Sequence, residues 1–138
     1  MSCFGMSKPD VGPIKLHYFP IAGRGELIRL IAAAGDLELV AGEDLTAEQK
    51  LEFGSPGSVP LMDHGGFKLA QSNAIKCYVA GLVPKFAALT PQQKATDQLF
   101  ALIQGDMLGD VAKEASGGKD AAVITKGCDK WHYLRVYV

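Results

Sequence analysis

The chain has 138 residues, nearly half of them hydrophobic, and a formal net charge of −1. That length suits one domain, or one domain with a fragment of another, and the apolar share allows a real core. A charge so close to zero gives no support for nucleic-acid partners, and no apolar stretch is long enough to span a bilayer. The three cysteines, Cys3, Cys77 and Cys128, are far apart and form no Cys-x-x-Cys pair. Neither a zinc site nor a dithiol redox motif is indicated. The start lacks a basic region followed by an apolar run, so no signal peptide is read there and a soluble, cytoplasmic setting is expected.

Met1 to Pro13 is punctuated by Gly5, Pro9, Gly12 and Pro13 and reads as a flexible leader. Ile14 to Phe19 alternates apolar and polar residues, the period of a strand, until Pro20 and Gly23 end it. From Arg24 a helix is predicted with Leu27, Leu30, Ile31 and Ala34 on one face and Gly35 as its stop. Leu37 to Val40 alternates again. Thr46-Ala47-Glu48-Gln49 resembles a capped first turn of a short helix running to about Phe53.

Val59 to Met62 is a short apolar run with Pro60 near its start, Asp63 to Gly66 is a turn, and Phe67 to Ala70 is a second run. A Gly-Gly tip between such runs is a hairpin signal. Ala74, Ile75, Tyr78, Val79 and Leu82 then fall at helical spacing, with Ser72 or Asn73 as the expected N-cap. Val83 to Leu89 looks like a linker. Thr90-Pro91 opens another helix, with a stripe of Ala95, Leu99, Leu102, Ile103, Met107 and Val111 running to about Ala115. Gly117-Gly118 breaks it, and the ending Trp131 to Val138 is aromatic and β-like.

The order strand, helix, strand, helix, strand, strand, helix predicts an α/β domain over residues 14–83. Its first half is a βαβ unit, which favours parallel pairing, and its second half is a hairpin plus helix. The sum is a small mixed sheet flanked by helices, βαβαββα, in the style of the thioredoxin fold. Residues 90–138 form a separate helical region with an atypical tail.

The junction at residues 71–73 has chemical potential. A helix's first turn presents unpaired N–H groups and the positive end of a dipole, which together hold an anion. Gln71 and Ser72 add an amide and a hydroxyl beside it. Proline cannot donate to a ladder, so Pro60 belongs at an edge, a strand start or a special turn. With a cis Val59–Pro60 bond, the Val59 main chain would face a ligand lying alongside as an extra strand. An edge-strand proline followed by an ordinary capped helix is the other reading, and both stand at this point.

Four words occur together in one order: Lys15-Leu16-His17-Tyr18-Phe19, Gly23-Arg24-Gly25-Glu26-Leu27-Ile28-Arg29, Ser58-Val59-Pro60 and Gln71-Ser72-Asn73-Ala74-Ile75. In these the chain resembles the amino-terminal half of a cytosolic glutathione transferase, and is most similar to the tyrosine-type group of sigma, mu, pi and alpha classes. The resemblance covers roughly residues 14–111. It implies a chain that conjugates the glutathione thiol to electrophiles. A free thiol ionises at about pH 8.5, while the thiolate is the nucleophile. Lowering that value by about two units takes roughly 2.7 kcal/mol, and one hydrogen bond to a charged group supplies about 1.5–3 kcal/mol.

The resemblance implies a role for each matching residue. Tyr18 is the catalytic tyrosine, donating to the glutathione sulfur, and Arg24 supports the tyrosine and its loop. Val59 pairs its main chain with the cysteinyl part, with Pro60 cis. Gln71 and Ser72 bind the γ-glutamyl group. Asp97 reaches into the site of the second subunit of a homodimer. Lys50 is a weaker candidate for the glycyl carboxylate, because residues 46–53 contain no tryptophan and the segment 53–57 departs from the pattern. Cys77 is read as a buried packing residue. His17, His64 and His132 have no ligand spacing, so no metal is expected, and glutathione is a co-substrate with no other cofactor.

Family members continue for several more helices, which form most of the second domain and the wall of the electrophile pocket. The resemblance therefore implies an incomplete, all-α C-terminal domain, with Leu99, Ile103 and Met107 uncovered and prone to association. Three functions follow: a transferase acting on a small electrophile, a glutathione-binding or dimerisation module without turnover, and a nonenzymatic interaction domain. No nucleic-acid or membrane partner is expected.

Overall fold

In a computed structural model of the chain, residues 12–116 are described. The expected leader therefore lies almost wholly outside the described residues, as do the β-like ending, Cys3 and Cys128. The described residues divide into two units, one ending at Pro84 and one starting at Lys85.

The first unit follows the expected element order. It comprises β1 (Ile14–His17), α1 (Glu26–Ala34), β2 (Leu39–Ala41), α2 (Ala47–Leu51), β3 (Leu61–His64), β4 (Phe67–Ala70) and α3 (Ser72–Leu82). The four strands form one mixed sheet in the order β2-β1-β3-β4. β1 and β2 are parallel, and the other two pairings are antiparallel. This is an α/β, thioredoxin-like sheet with helices.

Strand alternation builds two cores, because successive side chains point to opposite faces. One holds Ile14, Leu16 and Met62 with Ile28 and Ala32 of α1 and Ile75 and Val79 of α3. The other gathers Phe53, Leu61 and Ala70, with Leu45 and Val59 packed against them.

The hairpin is tighter than the sequence suggests. Asp63 and His64 belong to β3, and only Gly65 and Gly66 form the tip, with φ of 59° and 88°. Positive φ at both central residues is the turn that matches the twist of the flanking strands, and it suits glycine. The Asp63 carboxylate accepts from the Gly66 N–H at 2.9 Å. At α2 the capping box forms: the Gln49 N–H donates to Thr46 Oγ1 at 3.3 Å, and the Thr46 N–H donates to Gln49 Oε1 at 2.8 Å.

Three local expectations change. The buried residues of α1 are Ile28 and Ala32, while Leu30 is 57% exposed. The helix is apolar on several sides, so its pattern alone does not set its phase; packing on the sheet and α3 does. The N-cap of α3 is Gln71, at φ 72° and ψ 115°, with no side-chain capping bond. Cys77 is exposed, because Ile75, Lys76 and Val79 take the buried side of α3.

Gly35 does end α1, but not through left-handed backbone. Its φ is −103°, and the positive φ falls on Asp36 at 52°. The glycine is needed for close approach: a Cβ there would lie 2.2 Å from Val83 Cγ2 and 3.2 Å from Val83 Cβ. Valine cannot swing aside, since branching at Cβ restricts its rotamers. Gly35→Ala is expected to destabilise the unit by about 1–3 kcal/mol, as overpacking does. Thermal denaturation checks this at roughly 4–8 °C per kcal/mol; an unchanged melting temperature would show that α1 and Val83 separate at no cost.

The second unit is helical. α4 (Pro84–Ala87) lies at the boundary, where a linker is expected, and α5 covers Pro91–Ser116. Thr90 and Gln93 form a reciprocal cap at its start, with bonds of 2.9 and 3.2 Å. Leu99, Phe100, Leu102 and Val111 are exposed, while Ile103 and Met107 are half-buried. Among the described residues no helix is long and apolar enough to cross a membrane.

Candidate functional site

The strand register sets the site. His17 faces Leu61 across β1 and β3, and Leu61 faces Ala70 across β3 and β4. Continuing each antiparallel pairing by one residue aligns Tyr18, Pro60 and Gln71 in a single row. Three segments far apart in sequence therefore meet at one end of the sheet. There the Val59–Pro60 peptide bond is cis, as the resemblance implied.

Tyr18 follows directly after β1 and is half-buried. Its hydroxyl oxygen accepts from the Arg24 main-chain N–H at 3.0 Å. A phenol has one proton to donate, and among the described residues nothing accepts it. The ring is held closely by the next loop. A Cβ on Gly23 would lie 2.6 Å from the Tyr18 hydroxyl oxygen, and one on Gly25 would lie 2.5 Å from Tyr18 Cδ1. Glycine at both positions lets the main chain wrap the ring. Arg24 thus meets Tyr18 through its backbone, while its side chain is exposed.

A cavity of about 260 Å³ opens beside the tyrosine, lined by Tyr18, Lys50 and Val59 together with His17, Phe19, Glu43, Asp44 and Leu45. Lys50 comes from α2, and Glu43 and Asp44 come from the loop after β2. The lining carries charge of both signs, which suits a ligand that is itself zwitterionic. His17 is buried, and its Nδ1 lies 2.7 Å from the Glu43 carbonyl oxygen. A carbonyl only accepts, so Nδ1 carries the proton. The Phe53 ring meets the imidazole edge at 5.6 Å.

Gln71 and Ser72 do not line this cavity. They sit at the same sheet end by register, where α3 begins without a side-chain cap. The first-turn N–H groups of α3 thus lack the partner that an N-cap side chain normally supplies. The buried Oδ1 of Asn73 in the same turn also has no hydrogen-bond partner among the described residues. Asp97 is an exposed residue of α5 in the second unit.

No family model matches the chain. Solved structures do. Monomeric Na-GST-3, a glutathione S-transferase of the hookworm Necator americanus, is 26% identical with a TM-score of 0.61, over 86% of this chain and 59% of its own. A glutathione S-transferase of Caenorhabditis elegans is 26% identical with a TM-score of 0.67, over 91% and 67%. The Ascaris lumbricoides glutathione S-transferase is 28% identical with a TM-score of 0.55, over 80% and 56%. Its fold is that of the glutathione S-transferase family. The chain spans only about three-fifths to two-thirds of the length of the first two of these relatives.

Within this glutathione S-transferase fold, several neighbours of the tyrosine escape a reading of the sequence. Glu43 and Asp44 reach the cavity from the loop after β2 and no local motif marks them, while His17 stands beside Tyr18 in the same word without a role assigned to it. Arg29 closes the word Gly23 to Arg29, where no role is assigned to it, and its spacing of three from Glu26 is a further faint signal. Its guanidinium donates from Nη2 to the Phe19 carbonyl oxygen at 2.9 Å and from Nη1 to the Ile21 carbonyl oxygen at 3.1 Å.

Proposed function

We propose that the chain is a tyrosine-type glutathione transferase subunit. Glutathione lies extended beside the Val59 main chain, and its thiol ionises against Tyr18. The thiol proton leaves to solvent, the Tyr18 O–H donates to the sulfur anion, and the sulfur lone pair forms a carbon–sulfur bond to a small electrophile; with an aryl halide the carbon–halogen bond breaks in turn and halide departs to solvent with the bonding pair. Lys50 attracts the glycyl carboxylate. Gln71 and Ser72 hold the γ-glutamyl group, whose carboxylate meets the uncapped start of α3. No cofactor beyond the co-substrate takes part. Asp97 acts on a second copy in a homodimer, and the setting is the cytosol, whose thiols glutathione keeps reduced.

One observation carries this reading: the paired row of His17, Leu61 and Ala70, which brings the following Tyr18, the preceding Pro60 and the following Gln71 to one sheet end, with Tyr18, Lys50 and Val59 on one cavity. A phenol with an unused proton beside a cleft of mixed charge is suited to stabilising a ligand anion. The test is retention on immobilised glutathione, a rise in melting temperature with added glutathione, and turnover of a generic aryl halide. Binding stabilises the folded state by about 2.7 kcal/mol at a hundredfold excess over Kd. Retention with turnover is the expected outcome. Retention alone reduces the chain to a glutathione-binding module, and the absence of both retention and a thermal shift ends the proposal.

A further inference from the structure

We propose that Arg29 is a positioning residue for Tyr18, its guanidinium clamping the loop that holds the tyrosine hydroxyl at the cavity. The inference rests on the thiolate-stabilising role proposed for Tyr18. Phe19 to Ala22 connects Tyr18 to the Gly23–Gly25 turn that wraps its ring; Pro20 has no N–H, and the four residues lie outside every strand and helix, which leaves the loop without ladder or helix bonds of its own. Arg29 supplies them from α1. It binds the Phe19 carbonyl oxygen at 2.9 Å and the Ile21 carbonyl oxygen at 3.1 Å, one on each side of Pro20.

The same guanidinium is held in place from two directions. Glu26, one turn earlier, pairs with Nη1 at 3.3 Å. Arg29 Cζ also lies 5.7 Å from the Tyr18 ring centroid, within range of a cation–π contact. Arg29 is absent from the lining of the cavity beside Tyr18, so it acts through the loop and not on a ligand held in that cavity. The arrangement needs a planar fork with several fixed donors. A lysine ammonium is a single point and cannot hold both carbonyls with the same geometry.

The experiment compares wild type with Arg29→Lys, Arg29→Met and Tyr18→Phe. It follows the ultraviolet absorbance of bound glutathione thiolate against pH, together with kcat, KM for glutathione and melting temperature. Both Arg29 variants are expected to lower the bound thiolate fraction at neutral pH, by about tenfold in Arg29→Met and less in Arg29→Lys. kcat should fall in step, with KM for glutathione within about twofold to threefold. A merely structural role would lower the melting temperature and leave the thiolate titration in place. Should Arg29→Met fail to fold, Arg29→Lys decides alone, since it keeps the stem and the charge. An unchanged titration in the folded Arg29 variants, beside a Tyr18→Phe that loses the thiolate, overturns the role of Arg29 only. A Tyr18→Phe that keeps the thiolate overturns the reading of Tyr18 and this inference with it.

Discussion

Tyr18→Phe is expected to lower turnover by about 10- to 150-fold while leaving glutathione affinity nearly unchanged. The range follows from losing one hydrogen bond to a charged group, about 1.5–3 kcal/mol, at roughly 1.4 kcal/mol per decade of rate. Phenylalanine keeps what holds the ring: Gly23 and Gly25 still wrap it, and the Arg29 guanidinium still lies over its face. Only the hydroxyl is lost, with the acceptor of the exposed Arg24 N–H bond, which water can replace. The substitution thus separates chemistry from fold. The deficit should also shrink as pH rises past about 8.5, where the thiol ionises without help. Steady-state kinetics across pH, with calorimetric glutathione titration, check both statements. Wild-type rates at neutral pH in the variant would remove Tyr18 from the mechanism.

Ile28→Ala is expected to cost about 2–5 kcal/mol, the range for emptying a fully buried aliphatic site. Ile28 is 0% exposed and sits among Leu16, Met62, Ile75 and Val79. The loss is a large share of the roughly 5–15 kcal/mol that keeps an ordinary domain folded. Leu30, two residues on, is 57% exposed, and Leu30→Ala should change stability by no more than about 0.5 kcal/mol. Urea denaturation of both variants reads the difference as a shift in midpoint at constant slope. A larger loss at Leu30 than at Ile28 would mean that α1 packs on the wrong face here. The contrast bears on the site as well, because the phase that buries Ile28 is the one that turns Arg29 toward the Phe19 and Ile21 carbonyls.

Several features are legible in the chain because neighbours in sequence decide them. The capping box at Thr46, the Gly65–Gly66 tip and the start of α5 at Thr90 each depend on residues within one turn. The alternation of Ile14, Lys15 and Leu16 likewise marks a strand, although the burial of His17 on the opposite face is not part of that pattern. Other features need partners brought from afar. The phase of α1, the exposure of Cys77 and the cap at Gln71 depend on which surfaces meet, and a helix apolar on several sides offers more than one choice. Motif resemblance points to Tyr18, Val59 and Gln71, but only the register between β1, β3 and β4 aligns their segments at one sheet end. Short-range hydrogen bonding and periodicity are written in adjacent residues; the clamp of Arg29 on the tyrosine loop, and the cavity shared with Glu43 and Asp44, arise when packing closes distances the chain leaves open.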